Sequence, residues 1–135
     1  MIDHVSIAVS DLRRSRAFYE RCLAPLGYRV LVAREATVGF GKRYPEVWLN
    51  HRPGMAAIAA DTGAHICLRA RDQAAIEAFY HAAMAGGGAD AGAPGLRAAA
   101  QVTYFGAFTF DPDGNKIEAM TVPPAARAGD QASIA

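Results

Sequence analysis

The sequence predicts an α+β fold of two βαβββ modules, forming a cup-shaped mixed sheet with helices on the outer face. Three observations predict it. The chain resembles itself when residue n is laid over residue n+61, each copy opens with alternating apolar residues, and each continues with apolar residues at helical spacing. In the overlay DHVSIAVSDLRRSRAFYERCLAPLG falls on AHICLRARDQAAIEAFYHAAMAGGG. His4 meets His65, Asp11 meets Asp72, and Ala17, Phe18 and Tyr19 meet Ala78, Phe79 and Tyr80. Ala24 and Gly27 then meet Ala85 and Gly88.

The elements follow in order. Val5, Ile7 and Val9 share one face of the first strand, and Ile66, Leu68 and Ala70 match them in the second copy. The opposite faces carry His4, Ser6 and Ala8 against His65, Cys67 and Arg69. Asp11 and Asp72 are suited to cap the helices that follow. Ser15, Phe18, Tyr19 and Cys22 form one buried stripe, and Ile76, Phe79, Tyr80 and Ala83 the other. Gly27 and the run Gly86 to Gly88 end these helices. Short strands are expected over 28–34, 37–40 and 46–50, and again over 104–110 and 116–121. Residues 86–101 read mainly as a long loop of the kind that often serves binding. One domain over 1–122 results, with module one at 1–60 and module two at 61–122. The tail, residues 123–135, has no period and reads as disordered.

Composition narrows the function classes. The formal net charge is +1 with no basic run, which gives no electrostatic reason to expect nucleic acid or an anionic membrane. No stretch is apolar for the length of a bilayer span, and MIDHVSIAVSDLRR lacks the pattern of a secretory signal. Two cysteines, Cys22 and Cys67, read as reduced thiols of a cytoplasmic protein.

By strand parity, His4, His65 and Glu118 all lie on the faces turned away from the helices. Two imidazoles and a carboxylate converging on a cleft bind a divalent metal and leave positions open for substrate or water. Aligning EVWLN with KIEAM sets Trp48 opposite Glu118, with Glu46 two residues earlier on the same face. His51 and His81 read as solvent-facing. Trp48 serves either as a stacking surface for a substrate or as a plain apolar wall. Tyr104 and Arg97 are candidates for holding an oxygen-bearing substrate, against the alternatives of a strand tyrosine and a solvated charge. Cys67 lines the cleft as a soft, redox-sensitive thiol or as a small buried filler, and Cys22 reads as core.

With these residues in view, the chain resembles the vicinal oxygen chelate superfamily, which includes glyoxalase I, bleomycin-resistance-type proteins and extradiol dioxygenases. DHVSIAVSDLRRSRAFY, AHICLRARD and YFGAFTFDPDGNKIEAM carry the likeness, which extends from residue 1 to 122. The resemblance implies paired modules around a metal such as Fe, Mn, Ni or Zn, held by His4, His65 and Glu118. It implies chemistry on a small molecule with vicinal oxygens, of lyase, isomerase or dioxygenase type, in a protein acting as a homodimer. It also implies the alternative of sequestering a small molecule without chemistry. Glyoxalase I-like lyases place a second glutamate where this chain has Trp48, and Glu118 could act as a base only by leaving the metal.

Overall fold

Both helices begin where the sequence placed them, on an aspartate that caps the first turn. Asp11 accepts from Arg14 N at 3.0 Å and Asp72 from Ala75 N at 2.9 Å, each satisfying an amide that the helix itself leaves free. The computed structural model describes residues 1–124. The first module runs β1 (Val5–Val9), α1 (Leu12–Leu23), β2 (Arg29–Ala33), β3 (Thr37–Gly41) and β4 (Pro45–His51). The second runs β5 (Ile66–Arg69), α2 (Gln73–Ala85), β6 (Ala89–Ala98), β7 (Thr103–Phe110) and β8 (Lys116–Thr121). A single 3-10 turn, Ala24–Leu26, prolongs α1 until Gly27 ends it at φ 86°, a conformation that costs glycine little.

Each module builds a four-stranded mixed sheet, ordered β1-β4-β3-β2 in the first and β5-β8-β7-β6 in the second. The helical crossover makes β1 parallel to β4 and β5 parallel to β8, while the remaining pairs are antiparallel hairpins. The apolar parity holds. Val9, Val47 and Leu49 in one sheet and Ile117 and Ala119 in the other are buried with Phe18, Tyr19, Ile76 and Phe79 of the helices. The two helices pack against each other, so both modules share one core.

A polar junction also joins the modules, built from the turn DPDGN between β7 and β8. Asp111, only 4% exposed, accepts from Tyr19 Oη at 2.8 Å and from Asn115 Nδ2 at 2.9 Å. The backbone amides of Asp113 and Asn115 donate to its other oxygen at 2.9 and 2.8 Å. Asp113 in turn accepts from the Ser10 amide at 3.1 Å, from the Ser10 hydroxyl, and from Arg14 Nη2 at 3.3 Å. Asn115 Nδ2 also donates to the Ala8 carbonyl at 2.9 Å. The turn that sets the register of β8 therefore grips the end of β1 and the start of α1.

One expectation fails. Residues 86–101 do not form a long loop, because β6 pairs with β7 over most of that length. Register shifts between Asp90 and Gly92 and between Gly92 and Gly95 break the two-residue alternation that marks a strand. Pro94 is tolerated because β6 is an edge strand and is bulged there. The expected disordered tail lies, from residue 125 onward, outside the described residues.

Candidate metal and small-molecule site

Glu118 stands in the middle of β8, opposite Cys67 of β5 on one side and Phe108 of β7 on the other. Its neighbours Ile117 and Ala119 face the core, so its carboxylate points to the opposite, concave face. Even there the side chain is only 5% exposed. His65, just before β5, sends Nε2 to within 3.1 Å of Glu118 Oε2 and stays 38% exposed. The result is a sunken carboxylate with one imidazole at its mouth.

Two further expected residues join this group. Cys67 faces the same carboxylate, and its thiol is pushed up to about 12, first by desolvation and then by the charge of Glu118. Tyr104 is likewise raised, by desolvation and then by Glu118, while Arg97 opposes the shift. Both groups therefore keep their protons at neutral pH. Cys67 is exposed rather than a buried filler, because it borders the open hollow between β1 and β5.

Arg97 takes a different part from either sequence reading. It is half-buried on β6 opposite Tyr104, and its guanidinium donates to the carbonyls of Gly106, Gly95 (3.0 Å) and Ala93 (2.8 Å). Its Cζ lies 5.2 Å from the centre of the Phe108 ring. Arg97 thus satisfies carbonyls that the bulges of β6 leave free, and its donors are largely spent there. Trp48 belongs to the first sheet, where its ring lies across Gly39 and against Pro45. A Cβ on Gly39 would sit 2.9 Å from that ring. This glycine leaves room for a flat, half-buried indole on the concave side.

His4 lies just before β1 and is 52% exposed, with Nδ1 2.7 Å from Asp3 Oδ1. Tyr44 Oη donates to the Asp3 carbonyl at 2.8 Å, which fixes this end of the chain. His4 and His65 border one hollow of about 320 Å³ between β1 and β5, with Glu46, Tyr28 and Cys67 on its walls. Among the described residues, however, no three His, Cys, Asp or Glu side chains come close enough together to hold a metal ion. The structure brings His65 and Glu118 together and leaves His4 at the rim. The donor chemistry of the pair, imidazole nitrogen and carboxylate oxygen, suits a divalent ion of the borderline type.

Of the other histidines, His51 has Nε2 3.2 Å from the Ser10 carbonyl and is half-buried, while His81 is exposed beside Tyr80. Two residues near the site had no role in the sequence reading. Phe108 packs edge-on to His65 with ring centres 5.4 Å apart, and Lys116 Nζ lies 4.9 Å from the Phe108 ring centre. The parity of β8 already put Lys116 on the face of Glu118, so that signal was present. Phe108 needed the register of β7 against β8, which the sequence does not print.

Two sheets of this order, each with a parallel first pair and a helical crossover, and a concave His–Glu pair define a class rather than a single activity. The Glyoxalase/Bleomycin resistance protein/Dioxygenase superfamily model matches residues 1–119, and the chain belongs to that superfamily. Among solved structures it is similar to a glyoxalase/bleomycin resistance protein from Albidiferax ferrireducens. That protein shares 28% identity at a TM-score of 0.78, over 87% of this chain and 96% of the other. A family enzyme from Burkholderia phytofirmans shares the fold at 16% identity and a TM-score of 0.68, over 90% and 98%. A glyoxalase I variant from Zea mays shares it at 22% identity and a TM-score of 0.68, over 97% of this chain and 47% of that one. Comparison with curated proteins gave no match.

Proposed function

We propose that the protein is a metal-dependent enzyme of the lyase, isomerase or dioxygenase type, acting on a small molecule with vicinal oxygens. The observation that carries this reading is the sunken Glu118 carboxylate, 5% exposed, with His65 Nε2 at 3.1 Å on an open concave face. A buried carboxylate is costly unless paired, and one exposed imidazole is a modest partner for it. His65 and Glu118 would hold a divalent ion (Fe, Mn, Ni or Zn), with His4 as third donor. Such an ion supplies Lewis acidity to two adjacent substrate oxygens.

The chain's own residues do the rest. The register fixed by the DPDGN turn aims Glu118 into the cup, and Phe108 backs the His65 ring. Cys67 and Tyr104 line the floor as hydrogen-bond donors that stay protonated, while Trp48 offers a flat surface on the other sheet. The exposed position of His4, apart from the pair, supports a homodimer in which a second copy completes the donor set. The free thiols Cys22 and Cys67 support a cytoplasmic setting.

A second reading, sequestration without chemistry, has its own observation. The protic side chains nearest the pair, Cys67 and Tyr104, both hold their protons tightly, and Trp48 occupies the place of a second acid. Elemental analysis of protein purified without a chelating column tests the metal. Near-stoichiometric metal, lost in His65→Ala, Glu118→Ala and His4→Ala, supports the assignment, and loss in the first two alone removes His4 from the set. Metal-free protein whose melting temperature is unmoved by Fe, Mn, Ni or Zn would sink it, since binding to the folded state alone must raise stability.

A further inference from the structure

A second opening reaches His65 from the other end of the same strands. Between β1, the start of β5 and the segment joining β4 to β5 lies a cleft of about 570 Å³, a volume typical of small-molecule sites. Its walls are apolar, with Val5 and Ile7 on one side, Ile66 on the other, and Met55 and Ile58 of the joining segment across the opening. Its polar lining comprises Ser6, Thr62, Asn115, His65 and Lys116, of which Lys116 carries a fixed positive charge.

Lys116 is the unusual member. A lysine beside apolar surface ordinarily extends its ammonium into water. Here the side chain is half-buried and its ammonium sits 4.9 Å from the centre of the Phe108 ring. No carboxylate among the described residues lies within 4.0 Å of it. Asp61 borders an adjoining hollow with Lys116 but makes no ion pair with it. Glu118 lies two residues along the same face of β8 and is already engaged by His65. A partly desolvated cation without a counter-charge, in the lining of a largely apolar cleft, favours an anionic head on an apolar body.

We infer that this cleft binds an amphipathic organic carboxylate, its apolar part between β1 and the joining segment and its carboxylate on Lys116. The inference rests on the reading of the protein as a small-molecule binder and gives the ligand class of this cleft, which shares His65 with the site around Glu118. It does not depend on the metal. Lys116 acts as a specificity residue, selecting acids over neutral analogues of the same shape, with His65 beside it in the lining.

The test uses the full chain stripped with EDTA, so that no metal can attract the anion, and compares 4-phenylbutanoate with 4-phenylbutanamide by calorimetry and methyl NMR. The acid should bind at least about 10-fold more tightly than the amide, the scale of one partly buried charge contact. Shifts should centre on Ile58, Ile66 and Met55. Lys116→Met, which keeps the apolar stem, should abolish the preference, and Lys116→Arg should restore it. Equal binding of acid and amide overturns the inference, as does a preference that survives in Lys116→Met or shifts centred elsewhere. A preference for the acid in a protein that never takes up metal would uphold this inference while the metal assignment falls.

Discussion

Replacing Asp111 with alanine should unfasten the junction between the modules, and its cost can be worked from the hydrogen bonds it removes. Four donors lose their acceptor: Tyr19 Oη, Asn115 Nδ2 and the amides of Asp113 and Asn115. Tyr19 is 1% exposed, so water cannot replace the carboxylate, and its stranded hydroxyl costs about 1–3 kcal/mol. The other three donors sit in a half-buried turn that water can reach, at about 0.5–1 kcal/mol each. Against this stands the relief of no longer burying a carboxylate, whose desolvation holds Asp111 above the usual carboxyl range despite its donors. The balance is a loss of about 3 kcal/mol, or roughly 12 °C in melting temperature for a chain of this size.

Urea unfolding followed by circular dichroism and by the fluorescence of Trp48 measures that loss, and coincident transitions justify a two-state treatment. Tyr19→Phe should cost about 1–2 kcal/mol in the natural background and almost nothing beside Asp111→Ala. A loss below about 0.5 kcal/mol, or strictly additive single variants, would refute the reasoning. The pH dependence follows with a definite sign. A carboxyl raised in the fold is favoured there in its protonated form. That contribution is full below the unfolded value and is lost as pH rises through the folded one. Asp111→Asn should therefore flatten stability across the acid range just above the ordinary carboxyl value, and an unchanged slope would exclude Asp111 as its source.

Two other predictions concern backbone approach and thiol chemistry. Gly88→Ala should destabilise by about 1–3 kcal/mol in thermal melts, because the new Cβ would stand 2.7 Å from the Phe110 carbonyl and 2.8 Å from the Phe18 ring. An unshifted melt would mean that α2 and α1 are less tightly apposed than described. Cys67, with its thiol at about 12, should react with iodoacetamide at pH 8 at least about 10-fold more slowly than a free cysteine despite its exposure. Glu118→Gln should accelerate it only in part, since desolvation is the larger cause. Alkylation at the rate of a free thiol would contradict the placement of Cys67 beside Glu118.

The parts of this fold that were legible in the sequence are those set by local periodicity. The overlay of residue n on n+61 exposed the modules because a helix stripe and a strand alternation both survive in the two copies. Asp11 and Asp72 were readable as caps because capping is a contact within one turn. Parity alone aimed Glu118, His65 and Cys67 at one concave face. What stayed hidden depended on distant partners or on broken parity. Two bulges in β6 disguised a paired strand as a loop, and Arg97 then looked like a free cation when its donors stitch those bulges. Asp111 reads as a turn residue, because nothing local announces a phenol 92 residues away. His4, expected as the third donor, was aimed by parity at the same cleft, but parity carries no distance, and the structure keeps it at the rim.

The two halves share an ancestry of pattern, yet the junction between them is not symmetric. Where the second module has Asp111 to Asn115 between its last two strands, the first has Lys42 to Tyr44. A duplicate of the first module set in the place of the second would bring Lys42 and Arg43 toward Arg14 and offer Tyr19 no carboxylate. The five residues of DPDGN thus act as an address label. They let the first half of the chain tell a second half from another first half, whether that second half belongs to the same molecule or to a neighbour.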